Sequence, residues 1–143
     1  ITKIMSQNLP TVQAIYEAFG KGDIPTILSH LADDVNWESW ADNSAQKAGV
    51  PWLQFMKGKD GVLAFFQLIG NPEVFQIKEF QVLSMMDGGH QIAAEFVIAA
   101  DYLTTGGHFR DEEVHLWTFN DQGKVVRLRH YTDTHKHMLA AGL

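Results

Sequence analysis

Two segments near the carboxy end, residues 108–119 and 125–134, gather acids, an imidazole and aromatic rings at alternate positions. Between them Asn120-Asp121-Gln122-Gly123 reads as a type I turn with Gly123 left-handed. That turn predicts Phe119 opposite Val125, Trp117 opposite Arg127 and His115 opposite Arg129. Alternation then puts Glu113, His115, Trp117, Phe119, Arg127, Arg129, Tyr131 and Asp133 on one face, and Val114, Leu116, Thr118, Val126, Leu128, His130 and Thr132 on the other. Both faces hold apolar residues, so the pattern leaves open which one is inside. A titratable group walled by Trp, Tyr and Phe is suited to acid–base work, because desolvation raises a carboxylic acid toward working pH.

The elements that must position these residues divide the chain in two. In the first half, Leu9, Val12, Ile15, Tyr16 and Phe19 recur at helical spacing, and Gly20 and Gly22 end that helix. Asp23 caps a second helix with Pro25 in its first turn and Ile24, Ile27, Leu28 and Leu31 on its apolar side. Val35 to Trp40 is expected to be extended, Ala41 to Lys59 looser, and Asp60 to cap a third helix packed through Val62, Leu63, Phe65, Phe66 and Ile69. In the second half, strands over Val74–Met86, Gln91–Leu103, His108–Phe119 and Val125–Thr134 are separated by hairpin turns. Three helices and a curling sheet bury both sets of apolar faces, an α+β arrangement with an apolar interior.

Composition narrows the function. A chain of 143 residues is one domain's worth, residues 1–143 throughout. Lys+Arg total 11 against 17 acidic residues, a net charge of −6, which argues against a nucleic-acid binder held by phosphate contacts. No cysteine occurs, which removes disulfide frameworks, thiolate metal sites and cysteine nucleophiles. The longest apolar run, Phe96 to Ala100, falls far short of a bilayer span, so no membrane association and a cytoplasmic location are expected. His135-Lys136-His137 lacks a third ligand at diagnostic spacing, so no metal is expected, and Gly88-Gly89 and Gly106-Gly107 are turns rather than phosphate loops. Asp111-Glu112-Glu113 reads as a solvated acidic rim.

Tyr16-x-x-Phe19, Gly22-Asp23, Ala32-Asp33-Asp34-Val35-x-Trp37, Phe119 to Gly123-Lys124-Val125 and Tyr131-Thr132-Asp133 carry a resemblance over nearly the whole chain. The sequence resembles the SnoaL-like polyketide cyclases and ketosteroid-isomerase-related proteins of the NTF2-like superfamily. The resemblance implies an NTF2-like cone, with three N-terminal helices packed in a strongly curved, mainly antiparallel sheet and the His115/Asp133 face turned inward. It implies Asp133 as the acid/base of the cyclases and His115 as a hydrogen-bond donor to a developing enolate oxygen.

Tyr16, Trp37, Ser39, Phe66, Trp117, Arg129 and Tyr131 would line the substrate pocket. Ser39 stands where the isomerases keep their basic aspartate and cannot serve as that base, while Glu38 is expected on the opposite strand face. Tyr16 lies one residue past the isomerases' oxyanion tyrosine.

The function implied is a cofactor-independent isomerase or cyclase that transfers a proton next to a carbonyl on a small hydrophobic ligand. Two alternatives stand beside it: a non-catalytic ligand-binding or dimerisation module, and a limonene-type epoxide hydrolase using Asp101, Arg129 and Asp133. An outward face with Val114, Leu116, Val126 and Leu128 predicts a homodimer.

Overall fold

Helix α1 (Asn8–Gly20) turns Val12, Ile15 and Ala18 inward at helical spacing, and all three are buried. The short α2 (Ile24–Ser29) follows; Asp23 is its N-cap, accepting from the Thr26 amide at 3.2 Å, and Ile27 is its buried residue. The computed structural model describes residues 7–38, 40 and 42–143. Strand β1 (Leu31–Trp37) leads to a segment that is more ordered than its sequence predicts: α3 (Ser44–Ala48), a 3-10 turn at Pro51–Leu53 and β2 (Met56–Lys57). Asn43 caps α3 with its side chain on the Gln46 amide at 2.9 Å, a short-range signal that reading the stretch as loose overlooked.

Helix α4 (Gly58–Ile69) starts before Asp60, which sits in its first turn, and buries Val62 and Phe66. The strands β3 (Phe75–Asp87), β4 (Gln91–Tyr102), β5 (Gly107–Phe119) and β6 (Val125–Tyr131) complete a six-stranded curved, unclosed sheet in the order β2-β1-β6-β5-β4-β3. Among the described residues only the β1–β6 pair is parallel. The expected α+β cone is present, with five rather than three α-helices among the described residues. The fifth, α5 (Thr134–Ala140), takes over the end of the last predicted strand.

The core lies in the hollow of the sheet. Val12, Ile15, Ile27, Val62 and Phe66 from the helices meet Trp37, Ile92, Trp117, Phe119, Val125 and Leu128 from the strands. Each fully buried aliphatic or aromatic side chain of this kind contributes about 1.5–3 kcal/mol relative to exposure. A second cluster, built on Trp52, Phe75, Tyr102, Phe109 and Ala140, fixes α5 and the 3-10 turn to the far end of the sheet. Among the described residues no helix is long and apolar enough to cross a membrane.

One irregularity decides which side chains reach the interior. Phe119 pairs with Val125 as the turn predicts, but Thr118 pairs with Arg127, so Val126 is an extra residue bulged out of the ladder. Beyond the bulge every side chain of β6 changes face. Trp117 therefore stands opposite Leu128 and His115 opposite His130, in place of the expected Arg127 and Arg129. Leu128 and His130 point into the cone, and Arg127, Arg129 and Tyr131 point outward with Leu116 and Val114. The outward face thus keeps Val114 and Leu116 from its predicted apolar set and exchanges Leu128, which is buried, for arginines.

Candidate functional site

The cone encloses a cavity of about 80 Å³ whose wall is almost wholly apolar. Phe19, Phe65, Phe66, Phe80, Phe96, Trp37 and Trp117 supply most of it, with Ile15, Ile77 and Ile98 between them. A shallower depression shares Phe19, Phe66, Ile69 and Ile77 with the cavity, which marks its mouth between the ends of α1 and α4 and the start of β3. The polar part of the wall is a band of Tyr16, Glu38, Glu113, His115, His130 and His137.

Tyr16 reaches this band from the middle of α1. Its hydroxyl lies 3.0 Å from Trp117 Nε1 and 2.7 Å from His115 Nδ1. The indole N–H can only donate, so the phenol oxygen accepts from Trp117 and its own proton goes to His115 Nδ1. Donor counting therefore places the imidazole proton on Nε2, which has no hydrogen-bonding partner among the described residues. Burial, reinforced by the charge of His130, holds His115 well below its ordinary pKa despite Glu113, so the ring is neutral. Burial likewise pushes the Tyr16 phenol up, against the Trp117 bond, and keeps it protonated.

Glu38 reaches the cavity by breaking the alternation of β1. Its φ of 57° lies in the left-handed region, and the side chain that strand geometry would send outward turns inward instead, leaving the residue 4% exposed. His130 Nδ1 donates to both its oxygens at 3.0 and 3.1 Å, and His130 Nε2 donates to Glu113 Oε1 at 2.5 Å. Burial pulls the His130 pKa down, but the two flanking carboxylates outweigh it and hold the ring protonated well above its ordinary value. The reciprocal effect holds Glu113 below the usual carboxylate range: burial pushes it up, and His130 and then His137 override that.

The chain continues away from the cavity. His137 of α5 donates through Nε2 to Glu113 Oε2 at 2.6 Å and to Asp111 Oδ2 at 3.2 Å, while Trp52 Nε1 donates to its Nδ1 at 2.8 Å. Burial lowers the His137 pKa and the hydrogen bonds of Asp111 and Glu113 raise it further, for a net upward shift. The indole on Nδ1 keeps the ring neutral for as long as that contact stands.

His115, Tyr16, Trp37, Phe66 and Trp117 come together around the cavity. Ser39 lies outside the described residues. Asp133 is elsewhere: it is exposed and caps α5, accepting from the His135 and Lys136 amides at 3.1 and 3.3 Å. The strand ends at Tyr131, so Asp133 is not carried to the interior by alternation. Arg129 and Tyr131 face outward because of the Val126 bulge, and Tyr131 packs on Trp40 at 5.1 Å between ring centres.

Asp111 and Glu113, predicted as solvated rim, are 4% and 2% exposed, and only Glu112 of that run is in solvent. Asp101 pairs with His108 at 2.5 Å on the outer face, so it forms no set with Arg129 and Asp133, and the epoxide-hydrolase arrangement is not built. Sequence reasoning missed Glu38, Glu113, His130 and His137. The count of seven histidines in so small a chain was the one available signal.

A cone of helices in a curved sheet with a pocket at its centre defines the NTF2-like class. Residues 12–128 match the SnoaL-like domain model, and the chain belongs to that family. An NTF2-like protein of Burkholderia xenovorans is similar at 22% identity, with 96% of this chain and 98% of that chain covered and a TM-score of 0.77. A Mycobacterium tuberculosis protein in complex with estradiol-17β-hemisuccinate is 21% identical, with coverage of 89% and 94% and a TM-score of 0.67. TerC, co-crystallised with polyporic acid, is 21% identical, with coverage of 96% and 100% and a TM-score of 0.72. These likenesses speak to the fold. No curated protein matches the sequence.

Proposed function

We propose that the protein is an isomerase or cyclase that moves a proton next to a carbonyl on a small, uncharged hydrophobic ligand. The observation that carries this reading is the Glu38 carboxylate, buried at 4% exposure in the wall of an aromatic cavity that also presents the His115 ring. Glu38 is the base: the α-carbon's C–H bond breaks, the proton goes to a Glu38 oxygen, and the electron pair moves onto the carbonyl oxygen. His115 Nε2–H meets that oxygen as its charge develops, with Tyr16 fixing the ring through Nδ1. With an unsaturated ketone Glu38 then returns the proton at the far carbon of the dienolate, which isomerises the ligand; alternatively the enolate carbon attacks a second carbonyl, closing a ring, and the alkoxide so formed takes the proton back from Glu38.

His130 holds the carboxylate in place through Nδ1, and the surrounding rings exclude the water that would compete for both groups. A carboxylate of this kind contributes about 10²–10⁴-fold to the rate and an oxyanion donor about 10²–10³-fold. The steroid complex of the mycobacterial protein supports a ring-shaped ligand for this scaffold. A second copy of the chain on the outward sheet face is the expected partner.

The test uses hydrophobic ketones and enones in D₂O, with loss of the α-proton signal followed by NMR. Catalysed exchange is expected for the wild type and its loss in Glu38→Gln and His115→Phe. Tight binding of such ligands with exchange no faster than in buffer would instead make the protein a carrier.

A further inference from the structure

The polar band holds a second chemistry that proton transfer does not need. Glu38, His115 and His130 each offer one ligand atom, and these atoms lie within 4.8 Å of one another. Two imidazoles and one carboxylate are the donor set that first-row divalent ions take when positions must stay open for a ligand. Donors around a tetrahedral ion at about 2.0–2.1 Å stand roughly 3.4 Å apart, so no pair has to close by more than about 1.4 Å.

The outer contacts are those of a metal site as well. Glu113 Oε1 receives His130 Nε2–H at 2.5 Å, which leaves Nδ1 as the coordinating nitrogen, and Glu113 is itself held by His137 at 2.6 Å. Tyr16 lies 2.7 Å from His115 Nδ1, so that Nε2 is the coordinating atom and Nδ1 donates to the phenol oxygen in the bound state. The open side of the triad faces the cavity, whose mouth at Phe19 and Ile77 is an entry path. The neighbouring cluster of Asp111, Glu113 and His137 lacks these features: it is fully buried, and Trp52 occupies His137 Nδ1.

We propose that Glu38, His115 and His130 form a site for one divalent transition ion, zinc or cobalt in type, at the polar end of the cavity. The ion takes the place of the proton shared between Glu38 and His130. The proposal goes beyond the carbonyl reading: the ion-bound form has neither the His115 Nε2 proton nor the free Glu38 carboxylate that proton transfer uses, and its measurement is binding in the absence of any substrate.

The test is titration of EDTA-treated, full-length protein with Co²⁺, followed by visible absorption, and with Zn²⁺ in competition. One equivalent of Co²⁺ with the strong bands of a four- or five-coordinate ion is expected, displaced by Zn²⁺. Glu38→Gln and His115→Phe should abolish the bands, and Glu113→Gln should weaken affinity about 10–100-fold while keeping the stoichiometry. Should a variant fail to fold, imidazole NMR of the wild type decides: Zn²⁺ should shift His115 and His130 before the exposed His90, His108 and His135. Absence of a stoichiometric complex, a spectrum of six-coordinate aquated Co²⁺, or shifts confined to exposed histidines overturns the proposal and leaves the carbonyl reading standing.

Discussion

Glu38 owes its place in the wall to one backbone torsion. A glutamate at a φ of 57° adopts a conformation that costs of order 1–3 kcal/mol and persists only where its surroundings compensate. Here the compensation is the pair of bonds from His130. Alternation along β1 assigned this residue to the wrong face, because alternation assumes extended torsions throughout. Asp133 failed in the opposite way: its type and place fitted an acid/base, but two amides of α5 claim its carboxylate. Asp133→Ala should therefore lose about 0.5–2 kcal/mol of stability, as an N-cap does, and leave deuterium exchange unchanged, with denaturant melts and the NMR assay as the check. Tyr16→Phe removes one hydroxyl and leaves Trp117 Nε1 and His115 Nδ1 unpaired. A loss of about 1–3 kcal/mol and slower exchange are expected.

Several elements were legible because they depend on local signals. Helix spacing in α1, the Asp23 cap and the hairpin turns all act within a few residues, and the structure keeps each of them. The Val126 bulge was not legible: nothing between Gly123 and Arg127 distinguishes a bulged valine from a paired one, and a single slip exchanges the arginine and histidine faces. Deleting Val126 should restore regular pairing and keep Leu128 opposite Trp117 and His130 opposite His115, because the deleted residue is the one outside the ladder. Were Val126 a paired residue, the deletion would instead reverse the faces of the arginines and histidine beyond it, so retained cooperative unfolding is expected and its loss would contradict the register. The cap of α2 carries a pH signature. Bonds from the Thr26 hydroxyl and amide hold the Asp23 carboxyl below its ordinary value. Its stabilisation is complete above the unfolded pKa and is lost as pH falls through the lower folded one. The melting-temperature gap between wild type and Asp23→Ala should therefore be widest near neutral pH and shrink as pH falls through and below the ordinary carboxylate range.

At the scale of the whole molecule, the cone was legible and the contents of its wall were not. Apolar periodicities add up to a layered α+β fold, whereas the Glu38–His130 and Tyr16–His115 bonds join residues 92 and 99 positions apart, through contacts that no local pattern encodes. The outward face of the sheet offers Val114 and Leu116 beside Arg127 and Arg129, with Glu95 and Glu112 toward its other side. A two-fold axis through that face would set the arginines of one copy against the acids of its partner, so light scattering should report a dimer at micromolar concentration and Leu116→Asp should shift it to monomer.

The most direct measurement of the central claim is a crystal structure with a neutral phenol or enone that mimics the enolate. Its oxygen should lie within hydrogen-bond distance of His115 Nε2, its ring among Phe19, Phe80 and Trp117, and the carbon next to the oxygen-bearing one against the Glu38 carboxylate. A ligand whose oxygen faces the mouth at Ile69 and Ile77, with Glu38 untouched, would contradict it.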